Sequence, residues 1–238
     1  MAARWAPDIG LGLDMNIDIV VPVLNEAASW PQVQGHLVLL ARREGVKVWV
    51  VDGGSTDGTA ALATRGGLSV VHSQAGRARQ MNTGATQCSG DVLLFLHADT
   101  ALPPNWLDSL RAGLSTGACW GRFDVTIDGQ SVLLRVVATL MNWRSRLSGI
   151  ATGDQAMFMT RAAFDAVGGF PNQPLMEDIE ISKRLLKLSR PACLRQRVTT
   201  SGRRWDTRGV WRTIFLMWRL RFAYWRGRSP AELAQAYR

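Results

Sequence analysis

"VWVVDGGSTDGT", residues 48–59, decides the fold. Its uncharged first half reads as a buried strand that ends on a carboxylate, Asp52, followed directly by Gly53 and Gly54. Ser55 or Asp57 then stands where a helix N-cap belongs, ahead of a helical run over 57–67. A strand that feeds a helix through a glycine turn is half of a βαβ unit, and such units build parallel sheets covered on both faces. The string has two readings. Asp-Gly-Gly is a tight turn, or it is backbone stripped of side chains so that a ligand can approach it.

The same alternation extends outward. Upstream, "DIVVPVLN" (18–25) reads as a strand and "PQVQGHLVLLARREG" (31–45) as an amphipathic helix closed by Gly45. Downstream, "LSVVHS" is a third strand, "GRARQMNTGATQCSG" (76–90) a helix and "DVLLFLHAD" (91–99) a fourth strand. Past Pro103 and Pro104 come a helix near 105–114, a "GRFDVTI" strand, a helical apolar stretch over 131–150 and the segment 153–170. A helix over 176–188 follows, marked by the spacing of Ile181, Leu185 and Leu188. The pattern predicts an α/β fold with a mostly parallel sheet, and no repeat, low-complexity tract or long linker interrupts it.

A chain of 238 residues with 47% hydrophobic content can bury one full core with an appendage. Cys88, Cys119 and Cys193 are far apart and odd in number, which points to a reducing cytoplasm. The first sixteen residues lack the apolar core of a secretory signal, and no run approaches the roughly 18 apolar residues of a spanning helix. Charge is divided unevenly: residues 183–238 hold 15 basic and 2 acidic residues, net +13, while residues 1–182 hold 13 and 17, net −4. A basic tail on a mildly acidic body implies an anionic partner: a phosphate-bearing substrate, a lipid surface or nucleic acid.

In open parallel sheets ligands bind beyond the carboxyl ends of the strands. Those ends read "PVLNE", "VDGGSTDG" and "LHADT", and each carries an acid: Glu26, Asp52 and Asp99. Carboxylates gathered on one crevice repel each other unless a cation or hydrogen-bond donors lie between them, and a metal-bound nucleotide supplies both. No G-x-x-x-x-G-K-[ST] loop is present, and "GLGLDM" has neither a third glycine nor a preceding strand, so the dinucleotide fingerprint fails.

Taken in order, "VVPVLNEA", "VVDGGSTDGT", "GRARQMNTGA", "LLFLHADT", "VGGF", "MEDIEISKRL" and "GRRW" resemble glycosyltransferase family 2, the inverting class with the GT-A fold, over about residues 17–205. The resemblance implies a transferase domain over 1–205 and a basic, aromatic helical extension over 206–238. "HADT" stands where that family has its D-x-D motif, which implies Asp99 as the holder of Mn²⁺ or Mg²⁺ beside Ala98. His97 replaces the first acid. The same resemblance implies that Asp52 and Gly53 meet the nucleobase, that Pro22, Asn25 and Glu26 shape the nucleotide pocket, and that Arg77 and Arg79 lie beside the nucleotide. Both arginines also read as solvated residues at a helix start.

"MED" matches the family's E-D motif, which implies Asp178 as general base, with Glu177 beside it on the acceptor side. Glu177, Asp178 and Glu180 would also suit a helix's first turn by dipole alone. "SGRRW" resembles the family's R-W element. It implies Arg204 or Arg203 as diphosphate partner and Trp205 as floor of the acceptor site. The glutamine of the fuller Q-x-x-R-W pattern is absent near Ser201, which favours a single transfer over processive polymerisation. Gly153 and Asp154 fit an acceptor-side loop, and Asp154 equally fits a cap.

The function these features imply is inverting transfer of a sugar from a nucleoside-diphosphate donor to a hydroxyl acceptor, which a lipid could carry. The alternatives are a nucleotidyltransferase that makes nucleotide sugars, and a non-catalytic membrane- or RNA-binding module on the same scaffold. The first lacks its early glycine-rich loop with Arg and Lys, and joint retention of Asp52, Asp99 and Asp178 opposes the second, so no nucleic-acid partner is expected.

The tail adds "WRTIFLMWRLRFAYWRGR" (211–228), which places Trp211, Phe215, Trp218, Phe222 and Trp225 on one helical face. Arg208, Arg212, Arg219 and Arg226 run beside them. Such a helix suits a bilayer interface, as peripheral contact on the cytoplasmic face, and it equally suits packing on the catalytic domain or on a second subunit.

Overall fold

The computed structural model describes residues 15–237. The leading segment, with its G-x-G, falls outside them. β1 (Ile17–Val23), α1 (Trp30–Ala41), β2 (Val46–Asp52), α2 (Thr59–Arg65), β3 (Ser69–His72), α3 (Arg77–Gln87) and β4 (Val92–Phe95) follow the predicted alternation. These four strands are parallel, in the order β3-β2-β1-β4.

The second half is mixed. β5 (Thr100–Ala101), α4 (Trp106–Leu114), β6 (Trp120–Asp128), α5 (Leu133–Ser148), β7 (Phe158–Thr160), α6 (Arg161–Ala166), α7 (Glu177–Leu185) and β8 (Ala192–Ser201) complete an eight-stranded sheet, β3-β2-β1-β4-β7-β6-β8-β5. β7 is antiparallel to both β4 and β6, and β5 is antiparallel to β8. β6 and β8 are parallel, so the fold is α/β with helices on both faces and a mostly parallel sheet into which β7 and β5 run antiparallel. β8 is an element that hydrophobic periodicity does not reveal. Its buried positions near the end are Val198 and Thr200, and the rest of "ACLRQRVTTS" is too polar to mark a strand.

Alternation along the strands divides the core. Ile17, Ile19, Val21 and Val23 face α1 and α4 with Val48, Val50 and Leu94, whereas Val20, Val51, Leu93 and Phe95 face α3, α6 and α7. α3 lies close to the sheet because of Gly84, where an added Cβ would come within 2.7 Å of the Val51 side chain. That approach sets the first turn of α3 over the carboxyl ends of β1 and β2.

α8 (Arg203–Arg208), α9 (Val210–Trp225) and α10 (Pro230–Tyr237) end the chain, and position 205/206 lies inside α8. α9 is not free-standing. Its Val210 and Ile214 pack against Leu134, Val137 and Ala138 of α5, and its Leu220 is buried with Met176 and Ile179 at the start of α7. Among the described residues no helix is long and apolar enough to cross a membrane.

Candidate active site

The loops after β1 and β2 are stitched into one wall. The Asn25 N–H donates to Ser55 Oγ at 2.9 Å, and the Thr56 N–H returns to Asn25 Oδ1 at 2.9 Å. The Glu26 N–H donates to Thr59 Oγ1, the Ala27 N–H donates to Asp57, and the Glu26 carboxylate accepts from Ser29. Pro22 is the half-buried penultimate residue of β1. Asp52 closes its own turn: it is 2% exposed and accepts from the Gly54 and Ser55 amides, both at 3.1 Å. Behind it Gln80, buried, gives its amide to the carbonyls of Val23 and Val51 at 2.8 Å each. The Gln80 side chain lies where a Cβ on Gly53 would stand. The second glycine, Gly54, has φ +91, which asks for glycine on backbone grounds.

At the end of β4 the chain presents His97, Ala98 and Asp99. His97 turns inward, packs against Gly153, and pairs its Nδ1 with Asp154 Oδ1 at 3.2 Å. Asp99 is exposed. Burial alone would raise the Asp154 pKa, but the His97 hydrogen bond and the charges of His97, Arg77 and Arg204 hold it below the ordinary carboxylate value. Gly153 and Asp154 lie in a 3-10 turn, Gly153–Gln155, closed by a reciprocal Thr152 and Gln155 capping box.

Asp178 stands in the first turn of α7. Its carboxylate accepts from the Gly153 N–H at 3.1 Å and from the Ile179 N–H at 2.7 Å. Burial, and then the neighbouring Glu177 carboxylate, push its pKa up to about 6 against those hydrogen bonds and the Arg77 charge. Glu177 is buried and meets Arg77 at 3.8 Å. Arg77, His97, Gly153, Glu177 and Asp178 line one small cavity of about 10 Å³, room for a single water, with Met81, Phe95, Met157 and Phe170. Among the described residues three other than glycine have positive φ, Asn25, Ala156 and Met176, and each lies in a loop that builds this region.

Three other expected residues, Arg79, Arg204 and Trp205, are not among the residues that line this cavity. Arg79 is exposed and donates to Asn172 and Gln74, outside the cavity lining. Arg204 stacks over the Tyr237 ring at 4.3 Å and feels the charges of Asp154 and Asp99. Trp205 packs half-buried against the cluster of Ile127, Leu134, Val137 and Ala138. Sequence reading missed Gln80 and also Asn82, whose amide brackets the Phe170 N–H and carbonyl at 2.9 and 2.8 Å and so fixes the "VGGF" loop. Both stand inside "GRARQMN", but a polar residue on a helix start gives no sign that it will be buried.

No group of three or more His, Cys, Asp or Glu side chains among the described residues could hold a metal by itself. An exposed Asp99 still fits Mg²⁺ or Mn²⁺ bound to a diphosphate, because such ions keep water and phosphate oxygens and need only one or two carboxylates.

Comparison with known proteins agrees with this architecture. A mannosyltransferase from Pyrobaculum calidifontis in complex with GDP-Man and Mn²⁺ superposes with TM-score 0.64 at 19% identity, over 94% of this chain and 69% of that one. Glucosyl-3-phosphoglycerate synthase from Mycobacterium tuberculosis, with Mn²⁺ and UDP, gives 0.57 at 21% identity over 82% and 76%. In sequence, an undecaprenyl-phosphate 4-deoxy-4-formamido-L-arabinose transferase of Pseudomonas fluorescens is 32% identical over 155 residues, 58% of this chain and 44% of that protein. A beta-monoglucosyldiacylglycerol synthase of Synechocystis is 27% identical over 69% of this chain and 40% of its own length. The chain thus spans about half the length of the curated relatives it matches. The model of Glycosyl transferase family 2 covers residues 18–166, which hold Asp52, Asp99 and Asp154 but stop short of Asp178 and Arg204. The chain belongs to glycosyl transferase family 2.

Proposed function

We propose that this enzyme transfers a sugar from a nucleoside-diphosphate donor to an acceptor hydroxyl with inversion at the anomeric carbon, and that Asp178 is the base. The observation that carries the proposal is the Asp178 carboxylate, fixed by two amides on the wall of a cavity shared with His97 and Arg77 and raised to about 6. A carboxylate in that state takes a proton near neutral pH far better than an ordinary aspartate, and its fixed position lets it do so as the hydroxyl attacks. The donor lies along the wall of Asn25, Asp52 and Gly53, so that its diphosphate reaches Asp99.

Asp99 would hold Mn²⁺ or Mg²⁺, which when bound offsets the charge that grows on the departing diphosphate. Arg204 and Arg77 add positive charge on the same side, and His97 holds Asp154 and the Gly153 turn in place. The acceptor we propose is borne by a lipid, in keeping with two of the relatives' names. Asp178→Asn tests the assignment. It should keep nucleotide-sugar binding, read by calorimetry with Mn²⁺, and lower transfer by about 10²-fold or more. A variant that transfers at near-normal rate overturns Asp178 as base.

A further inference from the structure

Besides the cavity, the largest unexplained feature is apolar surface on two adjoining helices. α9 leaves Trp211, Phe215, Trp218, Phe222 and Trp225 open, Trp225 at 77%. α5 does the same along Leu133, Val136, Leu140, Trp143 and Leu147, spaced at i, i+3, i+7, i+10 and i+14, with Trp143 65% and Leu147 71% exposed. Each stripe is backed by a buried one: Leu134, Val137 and Ala138 on α5, and Thr213 and Leu220 on α9. The helices meet where Val210 and Ile214 pack on the buried side of α5. Exposed apolar surface of this extent on neighbouring helices marks an interaction site.

We propose that α5 and α9 together form a docking surface for an anionic lipid bilayer. Charge selects that occupant. α9 carries Arg212, Arg219 and Arg221 and α5 the exposed Arg135, whereas Arg146 is taken up by Asp124 and Arg144 is turned into the protein, and neither helix has an acid. No acid occurs between Asp128 and Asp154 or between Asp206 and Glu232. A second copy would bring like charges together across the contact. Nucleic acid would use the arginines and the rings, but Leu133, Val136, Leu140 and Leu147 offer it nothing. Headgroup phosphates with acyl chains below match both sets, and aromatic rings among arginines are the composition of interfacial helices. Each helix has 16 residues, about 24 Å of length, which fits lying on the surface rather than spanning a core of about 30 Å.

The surface is tied to the site. Leu220 of α9 is buried against Met176 and Ile179, which flank Glu177 and Asp178. Tyr224 reaches Glu180 at 3.4 Å, and Lys183 lies over the Tyr224 ring. Docking would therefore hold the first turn of α7 one helix away from the bilayer. The inference rests on the two faces and not on the transfer reaction, and its test uses neither donor nor acceptor.

The experiment is co-sedimentation of the full chain with phosphatidylcholine vesicles, with and without phosphatidylglycerol. Binding is expected only with the anionic lipid and should weaken as salt rises. Trp143→Ser with Leu147→Ser, and separately Trp218→Ser with Phe222→Ser, should each abolish it while circular dichroism stays unchanged. Arg212→Gln with Arg219→Gln should weaken it about thirtyfold. Should a variant fail to fold, hydrogen exchange on the unsubstituted protein decides, because vesicles must slow exchange over both 133–148 and 210–225. Protection of α9 alone, or full binding by the α5 variant, overturns the two-helix surface. Absence of anionic-vesicle binding overturns it too, whether the faces prove to hold a dimer in light scattering or to bind RNA instead.

Discussion

Asp178→Asn should make the protein more stable at neutral pH. The folded-state pKa of Asp178 is pushed up to about 6 from 3.8, so between those values the folded protein binds more protons than the unfolded chain. Stability is then present below about pH 4 and is lost as pH rises through 6, where the ionised carboxylate is held beside Glu177 in a poorly hydrated place. A raise of about two pKa units corresponds to roughly 3 kcal/mol. Asparagine removes the charge but leaves one of the Gly153 and Ile179 amides without an acceptor, which costs about 1 kcal/mol. The net gain at pH 8 is about 2 kcal/mol, or roughly 4–8 °C in the melting midpoint for a chain of this size. Scanning calorimetry of parent and variant at pH 8 and pH 4 measures it, and the gain should vanish at the lower pH. A variant less stable at pH 8, or a difference that ignores pH, refutes the claim that this carboxylate is strained by burial.

The transfer rate should climb as pH rises through about 6 and then level off, because the ionised Asp178 is the active form; a flat profile from pH 5 to 8 under turnover conditions refutes it. Asp99→Ala should remove the Mn²⁺-dependent part of nucleotide-sugar binding in calorimetry while leaving the melting midpoint within about 1 °C, since the side chain is exposed. Gly153→Ala would overlap His97 and shift the amide that holds Asp178, so kcat should fall about 10²-fold with the fold intact by circular dichroism. Gln80→Ala removes the buried amide shared by the Val23 and Val51 carbonyls, of which Val23 keeps the Gly53 N–H, and should cost about 1–3 kcal/mol in urea denaturation.

Periodicity made the first half of the fold legible, because each of β1, β2, β3 and β4 is a short apolar run followed by a helix with a clear stripe. It failed where burial is polar. The "GRFDVTI" strand is β6, but its pattern does not show that Arg122 and Asp124 are buried there as an ion pair joined by Arg146, and β8, which hides Thr200 beside Thr100, is missed. Hydrophobic pattern carries no record of such partners, since a charge is tolerated inside only when a residue remote in sequence pairs with it. The same limit applied at the site. The sequence marked Asp99, Asp154 and Asp178, whose carboxylates stand at strand tips or a helix start. It was silent on Gln80 and Asn82, which decide where the loops stand.

Asp52 shows how the two readings of the opening turn are reconciled. The carboxylate is occupied by the Gly54 and Ser55 amides, which is what a structural turn requires, and that same bond holds Ser55 where its hydroxyl takes the Asn25 N–H. Asn25 is left-handed at φ 54, a conformation that asparagine takes more readily than other residues with a Cβ, which pay about 1–2 kcal/mol for it and keep it only under restraint. Met176 and Ala156 carry the same cost beside Asp178 and Gly153. Strain therefore sits in the loops on both sides of the cavity, held by hydrogen bonds that begin at the strand ends. The parallel half of the sheet supplies the rigid edge, Asp52 and Gln80 transmit its position to the loops, and those loops carry the reactive groups. A turn residue at Asp52 and a site residue at Asp52 are consequently one assignment, because the bond that makes the turn is the bond that sets the wall.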